Sequence, residues 1–306
     1  TGTGDDTIGA QYGNLNIVEG GLGTDTYQFR TVEANTFLDL MDTNQQKVIS
    51  KEGNNTFMII KGIENIQGSE NIDIYKGDSV DNKIEGFGGD DEIYGREGND
   101  TLNGDEGNDF LSGDSGDDTL NGGTQDDVLK GGSGDDILNG GAGIDTADYT
   151  EATEDLNIDL SKTGKVFISD SQGSDTFNLI EGAKGGSGDD ILTGTTTTNY
   201  LYGNDGDDTL LGYGGDDIID GGAGIDFISF NFSDKNLTIR LDTLDWQDTN
   251  DGKVKLIGIE NAEGGTGDDK IYGNASKNEI RSLGGNDTIY GSDGDDKLYA
   301  GTGDDI

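Results

Sequence analysis

One aliphatic residue returns at every ninth position through a long middle stretch of the chain. From Gly86 the sequence reads GFGGDDEIY, GREGNDTLN, GDEGNDFLS, GDSGDDTLN, GGTQDDVLK, GGSGDDILN and GGAGIDTAD, without a gap, to Asp148. With the residues of each nonapeptide numbered from 1 to 9, position 8 holds Ile93, Leu102, Leu111, Leu120, Leu129 and Leu138, and Ala147 ends the run. A lone apolar residue between polar neighbours supplies the one inward-facing side chain of a very short strand. Gly at positions 1, 2 and 4 permits positive φ and the close backbone approach of a tight turn. The pattern predicts an all-β chain in which short strands alternate with glycine turns.

Such repeats fall into four blocks, residues 1–28, 68–148, 185–229 and 264–306. The second repeat of each block is degenerate: AQYGNLNIV at 10–18, GDSVDNKIE at 77–85, GTTTTNYLY at 194–202 and GNASKNEIR at 273–281. Position 6 there holds Leu15, Asn82, Asn199 or Asn278, while position 8 keeps Ile17, Ile84, Leu201 and Ile280. One slot changes in all four, so a fold that continues explains it better than random decay.

Three inserts, residues 29–67, 149–184 and 230–263, separate the blocks. TFLDL at 36–40, LNIDL at 156–160 and LTIRL at 237–241 alternate as half-buried strands do. Thr163-Gly164 and Asp251-Gly252 follow as turn signals, the second a hairpin pair. The inserts close on related residues: GIENIQGS at 62–69, LIEGAKGG at 179–186 and GIENAEGG at 258–265. They are expected to be one recurring β element that either adds coils to the stack or forms side hairpins, the former favoured because the repeats resume with their glycines intact. The last block stops at Ile306, position 7 of a repeat, so a longer parent chain is expected.

Composition changes what this pattern needs. Only 30% of the 306 residues are hydrophobic, 55 are Gly, and 63 acidic residues against 19 basic ones leave a formal charge of −44. Low hydrophobicity with high net charge marks a disordered chain. Ordering costs about 1–2 kcal/mol per residue, and glycine is at the expensive end. Folding energy must come from outside the chain, and the charge requires a cationic source. The absence of Cys removes disulfides, thiolate metal sites and a cysteine nucleophile, and the absence of His removes the commonest general base. No Pro means no collagen or polyproline structure. Nucleic acid is excluded as a partner by the acidic balance, and no apolar window approaches a membrane span. No N-terminal signal peptide is expected.

The candidate chemistry sits at positions 1 to 6. A glycine turn can point carbonyl oxygens into a common space, and Asp at position 6 adds carboxylate oxygens. Many hard oxygen ligands, partly backbone, suit Ca²⁺ better than zinc or copper, and better than Mg²⁺, which resists losing its waters. The nonapeptides resemble the RTX (repeats-in-toxin) family, whose pattern is G-G-x-G-x-D-x-U-x. That resemblance implies a right-handed parallel β-roll (a β-solenoid) in which two nonapeptides make one coil and turns on one edge stack at a spacing of 18. It also implies Ca²⁺ between stacked turns, held by position-6 carboxylates and by carbonyls of positions 2 and 4. Asp91 is then expected to pair with Asp109, Asp100 with Asp118, Asp109 with Asp127, Asp118 with Asp136, and Asp127 with Asp145. The full expected carboxylate set adds Asp6, Asp25, Asp73, Asp190, Asp208, Asp217, Asp226, Asp269, Asp287, Asp296 and Asp305. The expected carbonyl donors are Gly98, Gly107, Gly116, Gly123, Gly132, Gly134, Gly141, Gly143, Gly188, Gly206, Gly215, Gly222, Gly224, Gly267, Gly285 and Gly294. In the degenerate repeats a neutral Asn lowers Ca²⁺ affinity, so occupancy is expected to be banded.

Two features lie outside the repeats' own chemistry. DTLDWQDTNDG at 242–252 gathers Asp around Trp246 but lacks the EF-hand ligand pattern; a solvated turn beside a packed indole is the simpler expectation. Position 9 holds Tyr94, Tyr202, Tyr272, Tyr290 and Tyr299, which are expected on the outer faces. Tyr272 and Tyr290 are expected to stack on one sheet, and Arg281 and Tyr299 to share the opposite one. Good β propensity explains such tyrosines, and a stripe for cell-surface glycan or for copies of the chain is the alternative.

The resemblance implies secretion, typically by a type I system, and folding on meeting extracellular calcium. About a dozen ions would contribute roughly +24 against the charge of −44. Three parent proteins fit: a surface-layer or adhesin protein using the roll as spacer or lattice element, a secreted enzyme (protease, lipase or polysaccharide epimerase), or a pore-forming toxin. Blocks of one kind with no catalytic constellation favour the first, and this stretch itself is expected not to be an enzyme. Asp207 next to Asp208 mimics a glycosidase dyad, but metal-ligand spacing accounts for both.

Overall fold

The computed structural model describes residues 2–9, 16–29, 36–41, 46–49 and 55–306, with the side chains at 16–17, 46–49 and 55–61 left aside. Leu15 and most of the degenerate repeat at 10–18 lie outside the described residues, as does the Ile17 side chain. The described residues form strands and turns and no helix. The chain divides into two compact units. One comprises Thr1–Asp148, Thr163–Lys165 and Asp170–Ile180; the other comprises Tyr149–Lys162, Val166–Ser169 and Glu181–Ile306.

Within the first unit, two parallel ladders carry alternate nonapeptides. One runs through Asn65–Gln67, Lys83–Gly88, Thr101–Glu106, Thr119–Thr124 and Ile137–Ala142. The other runs through Ile74–Lys76, Glu92–Glu97, Phe110–Ser115, Val128–Ser133 and Thr146–Asp148. Because neighbours in a ladder are alternate repeats, position 8 stacks on position 8, with Leu102 opposite Leu120 and Ile93 opposite Leu111. Ile66, Ile84, Leu102, Leu120 and Leu138 form one fully buried column, and Tyr75, Ile93, Leu111, Leu129 and Ala147 form the other. One side chain per strand is a thin core, which is why 30% hydrophobic residues suffice. The arrangement is a parallel β-roll.

The second unit repeats the scheme. Ile191–Thr193, Thr209–Leu211, Phe227–Ser229, Asn261–Glu263, Glu279–Arg281 and Lys297–Tyr299 form a parallel ladder, with Leu192, Leu210, Ile228, Ala262 and Ile280 fully buried. Gly182–Lys184, Tyr200–Asp205 and Gly215–Ala223 form another. A third joins Thr238–Arg240, Lys270–Tyr272 and Thr288–Tyr290.

The inserts enter these ladders and also carry hairpins, so the two expected alternatives combine. Phe37–Asp39 pairs in parallel with Ile74–Lys76, Asn157–Asp159 with Ile191–Thr193, and Thr238–Arg240 with Lys270–Tyr272. Further on, Gly173–Asn178 stacks on Ile137–Ala142, and Gly252–Ile257 on Gly215–Ala223. The antiparallel partners are Gln46–Ile49 against Asn55–Lys61 and Gln247–Asp248 against Gly252–Ile257. Asp251-Gly252 therefore sits in a four-residue hairpin loop after Asp248, rather than forming a two-residue turn alone.

Trp246 is 49% exposed, so the expected packed indole is not found. Nor do the neighbouring Asp residues converge. Asp242 pairs with Arg240, Asp251 pairs with Lys235, and Asp248 caps the Asn250 amide. On the outer faces, Tyr272 and Tyr290 stack with ring centroids 4.8 Å apart at 7°, and the Arg240 guanidinium lies 4.4 Å from the Tyr272 centroid. Arg281 is in register with Tyr299 on another ladder.

Candidate metal sites

Positions 2 and 4 of the repeats take left-handed backbone, and this is what turns the chain. Position 4 is glycine at Gly98, Gly107, Gly116, Gly134, Gly143, Gly206, Gly215, Gly224, Gly285 and Gly294, all with positive φ. Position 2 is glycine with positive φ at Gly123, Gly132, Gly141 and Gly222, yet Phe87, Arg96, Asp105, Asp114 and Asn204 adopt the same conformation. The carbonyls of these positions lie between successive turns: a Cβ on Gly116 would overlap the Gly98 carbonyl oxygen, and one on Gly123 would overlap that of Asp105.

Position 1 is glycine for a different reason from the one expected. Gly95, Gly104 and Gly113 do not have positive φ; a Cβ there would overlap Oδ2 of Asp100, Asp109 and Asp118, five residues on. The turn is a cradle that keeps this oxygen's surroundings clear.

Each position-6 carboxylate has two differently placed oxygens. Oδ1 accepts the position-6 amide of the preceding turn, 18 residues back, at 2.7–2.9 Å: Asp73 N–H to Asp91, Asp91 to Asp109, Asp109 to Asp127, Asp127 to Asp145, Asn82 to Asp100, Asp100 to Asp118 and Asp118 to Asp136. The expected pairs are thus brought together. The second unit repeats the contact from Asp190 to Asp208, Asp208 to Asp226, Asp269 to Asp287, Asp287 to Asp305, Asn199 to Asp217 and Asn278 to Asp296. Asp6 donates likewise to Asp25 at 2.8 Å.

Oδ2 is the unsatisfied atom. In Asp25, Asp91, Asp100, Asp109, Asp118, Asp127, Asp136, Asp208, Asp226 and Asp287 it is buried without a hydrogen-bond partner. A buried carboxylate oxygen without a partner is costly unless a proton or a cation compensates it. Burial pushes Asp91 up to about 9 and Asp136 to about 8. It pushes Asp100, Asp127, Asp208 and Asp217 to about 7, and Asp109, Asp118 and Asp226 to about 6. The amide bond to Oδ1 opposes this in each, and neighbouring carboxylates add to it. Among the described residues, no three acidic side chains gather at one point. The donor set is instead stacked carboxylates with turn carbonyls between them, which suits a hard divalent ion with many oxygen ligands and fits Ca²⁺.

Three expected ligands differ from the rest. Asp73, Asp190 and Asp269 have both oxygens satisfied. Oδ1 accepts the amide of Thr36, Leu156 or Leu237, and Oδ2 accepts that of Ser69, Gly186 or Gly265 in its own turn. These turns lack positive φ at positions 2 and 4, so Gly188 and Gly267 do not take the conformation of the other glycine donors.

The coils that follow close themselves with Asn. Oδ1 of Asn82, Asn199 and Asn278 accepts the amide of Asp78, Thr195 or Asn274. Nδ2 donates to the Glu64, Glu181 or Glu260 carbonyl, at 2.7, 3.1 and 2.6 Å. A neutral amide thus holds turns that elsewhere present a bare carboxylate oxygen.

Sequence reasoning missed two further sets of residues. Position 5 forms a second, exposed ladder running the opposite way: the Asn108 amide donates to Asp90, Asp117 to Asn99, and Asp135 to Asp117. Asp207 and Asp208 divide between the ladders, Asp207 accepting from Ile225 and Asp208 from Asp190, so they form no dyad. The other set is Asp175, Glu64 and Glu260, insert residues that take position-6 places and accept the amides of Asp136, Asp25 and Asp226. Gly173-Ser174-Asp175 is a hidden G-x-D, readable from Phe177 two residues after the aspartate, but it lacks the leading glycine pair.

The model of the family "RTX calcium-binding nonapeptide repeat (4 copies)" matches residues 67–102, 76–111, 85–120, 112–147, 193–228, 257–288 and 276–306, together more than half of the chain. The chain belongs to this RTX family. No curated protein matches it. Among solved structures it is similar to the extracellular lipase LipA from Serratia marcescens, with 19% identity over 72% of this chain and a TM-score of 0.16. The chain spans 32% of that lipase's length, and a likeness at this level says nothing about activity. As an RTX chain it is a calcium-binding β-roll, and the unpartnered Oδ2 atoms, that of Asp25 excepted, lie in the repeats that give it that membership.

Proposed function

We propose that this chain is a calcium-triggered structural segment: unfolded where calcium is scarce, folded into RTX rolls after secretion, and serving as spacer or lattice element of a bacterial surface-layer or adhesin protein. The observation that carries this is the row of buried position-6 oxygens with no hydrogen-bond partner. Ca²⁺ supplies the missing positive charge when bound. Asp109, Asp118, Asp127 and their equivalents present the carboxylates, and carbonyls of positions 2 and 4 present the neutral oxygens. The Oδ1–amide bonds fix each carboxylate's height, and the position-1 glycines keep the cradle open. Because the sites form only in the stacked chain, binding energy is folding energy.

Extracellular calcium modules bind at about 10⁻⁴–10⁻³ M, which separates a low-calcium cytosol from the exterior. In this reading the chain performs no catalysis. The position-5 and position-6 acids are engaged in ladders, and blocks of one kind suit a scaffold. Circular dichroism of the chain in chelator and then in millimolar calcium tests the switch; a full β signal in chelator refutes it. For the surface role, calcium-dependent assembly followed by light scattering, together with retention on cell envelopes, is expected, and a monomer that binds neither refutes it.

A further inference from the structure

We propose that Glu64 and Glu260, in the closing segments of the first and third inserts, each complete a calcium site with Asp25 and Asp226, so that the ion row does not end where the nonapeptides end. This rests on the calcium reading above. Asp25 and Asp226 are the last position-6 aspartates of their blocks, both fully buried with Oδ2 unpartnered. In mid-block such an aspartate sits against the next turn's carboxylate, to which its amide donates. Here the next nonapeptide is missing, and an insert intervenes.

The contact is nevertheless reproduced. The Asp25 amide donates to Glu64 Oε2 at 2.7 Å across 39 residues, and the Asp226 amide to Glu260 Oε2 at 3.0 Å across 34. Gly62 and Gly258, two residues before each glutamate, have positive φ and lie against Gly21 and Gly222, the position-2 glycines of the turn behind. The cradle is also present: a Cβ on Gly20 would meet Asp25 Oδ2 and the Gly62 carbonyl oxygen, as one on Gly86 would meet Asp91 Oδ2 and the Gly104 carbonyl oxygen. Each place therefore combines a bare aspartate oxygen with a second carboxylate, and the first also has a carbonyl. Two negative charges facing one another match one divalent cation. A glutamate outside any G-G-x-G-x-D motif thus does the work of a repeat aspartate.

The test counts calcium ions on the whole chain by native mass spectrometry in saturating calcium. Glu64→Gln and Glu260→Gln keep an oxygen that can accept the amide but remove the charge. Each is expected to carry one ion fewer than the parent, and the double variant two fewer, with the β signal retained; Glu85→Gln, in an outward-facing position, is expected to keep the parental count. An unchanged count in the folded double variant overturns the proposal. If a glutamine variant does not fold, Glu64→Asp and Glu260→Asp decide: recovery of fold and full count supports it, and failure to recover either overturns it. A parent chain that binds no calcium removes the calcium reading itself, a result distinct from an unchanged count.

Discussion

At the scale of single residues, the turn assigns two separate demands to what looks like one glycine-rich motif. Position 1 excludes a Cβ because a carboxylate oxygen stands there, whereas positions 2 and 4 require left-handed backbone. Gly113→Ala is therefore expected to displace Asp118 and to raise the calcium concentration at half-folding several-fold, followed by circular dichroism. Asp105→Gly, at φ 75°, is expected to do the reverse. Relieving a left-handed non-glycine residue gains up to about 1 kcal/mol, visible as a higher Tm in calcium.

Proton linkage is a second consequence at this scale. Burial raises Asp91, Asp100, Asp127 and Asp136 to between about 7 and 9 in the calcium-free fold. Such groups hold more protons folded than unfolded, so that fold gains stability as pH falls from these values toward the unfolded value near 4, and loses it as pH rises. In chelator, β structure is expected to grow as pH falls from about 8 to about 5. In calcium, the same acidification is expected to raise the calcium midpoint, because protons and ions compete for one oxygen. A pH-independent midpoint would contradict this.

At the scale of the coil, two kinds of turn occur, with one Asn turn in each of the second, third and fourth blocks. The Asn turns are closed by their own amides and need no ion. Asn199→Asp replaces the donor that reaches the Glu181 carbonyl with an acceptor, leaving two oxygens facing each other. A cost of about 1–3 kcal/mol is expected. It should appear as faster hydrogen exchange at 194–202 in limiting calcium, while Thr195→Ala should have a smaller effect. The column of position-8 residues and the 18-residue pairing of Asp91 through Asp145 were legible in the sequence, because each depends on one residue type recurring at one interval. The self-capping of Asp73, Asp190 and Asp269 was not. Their motifs read like the others, and what differs is the preceding insert coil, which places Thr36, Leu156 or Leu237 at position 6 and the turn outside left-handed backbone. Glu64 and Glu260 escaped for the converse reason: their surroundings are those of a repeat, but the residue type is not.

At the scale of the whole chain, a charge of −44 opposes compaction, and in the proposed reading specific ion binding both offsets it and forms the strands. Small-angle scattering in chelator is expected to show an expanded chain. Raising monovalent salt to about 1 M shortens the Debye length to about 3 Å and should shrink the chain without producing strands. Millimolar Ca²⁺ should produce both, and Mg²⁺ at the same concentration should not, since it gives up its water reluctantly. Strand formation in salt alone would mean that screening, rather than coordination, folds the chain.

The Asn-held coils also bear on how the molecule yields under load. A stack of identical turns unzips without a preferred stopping point, since each lost coil exposes an equivalent neighbour. Turns that owe nothing to calcium interrupt that sequence. Pulled in an optical trap at low calcium, the chain should lengthen in bursts that pause at Asn82, Asn199 and Asn278. The largest burst, from the uninterrupted run between Gly86 and Asp148, should release about 220 Å of contour at roughly 3.5 Å per residue. For a protein anchored at a cell surface, such pauses would set how far a tether lengthens before calcium returns and the coils re-form.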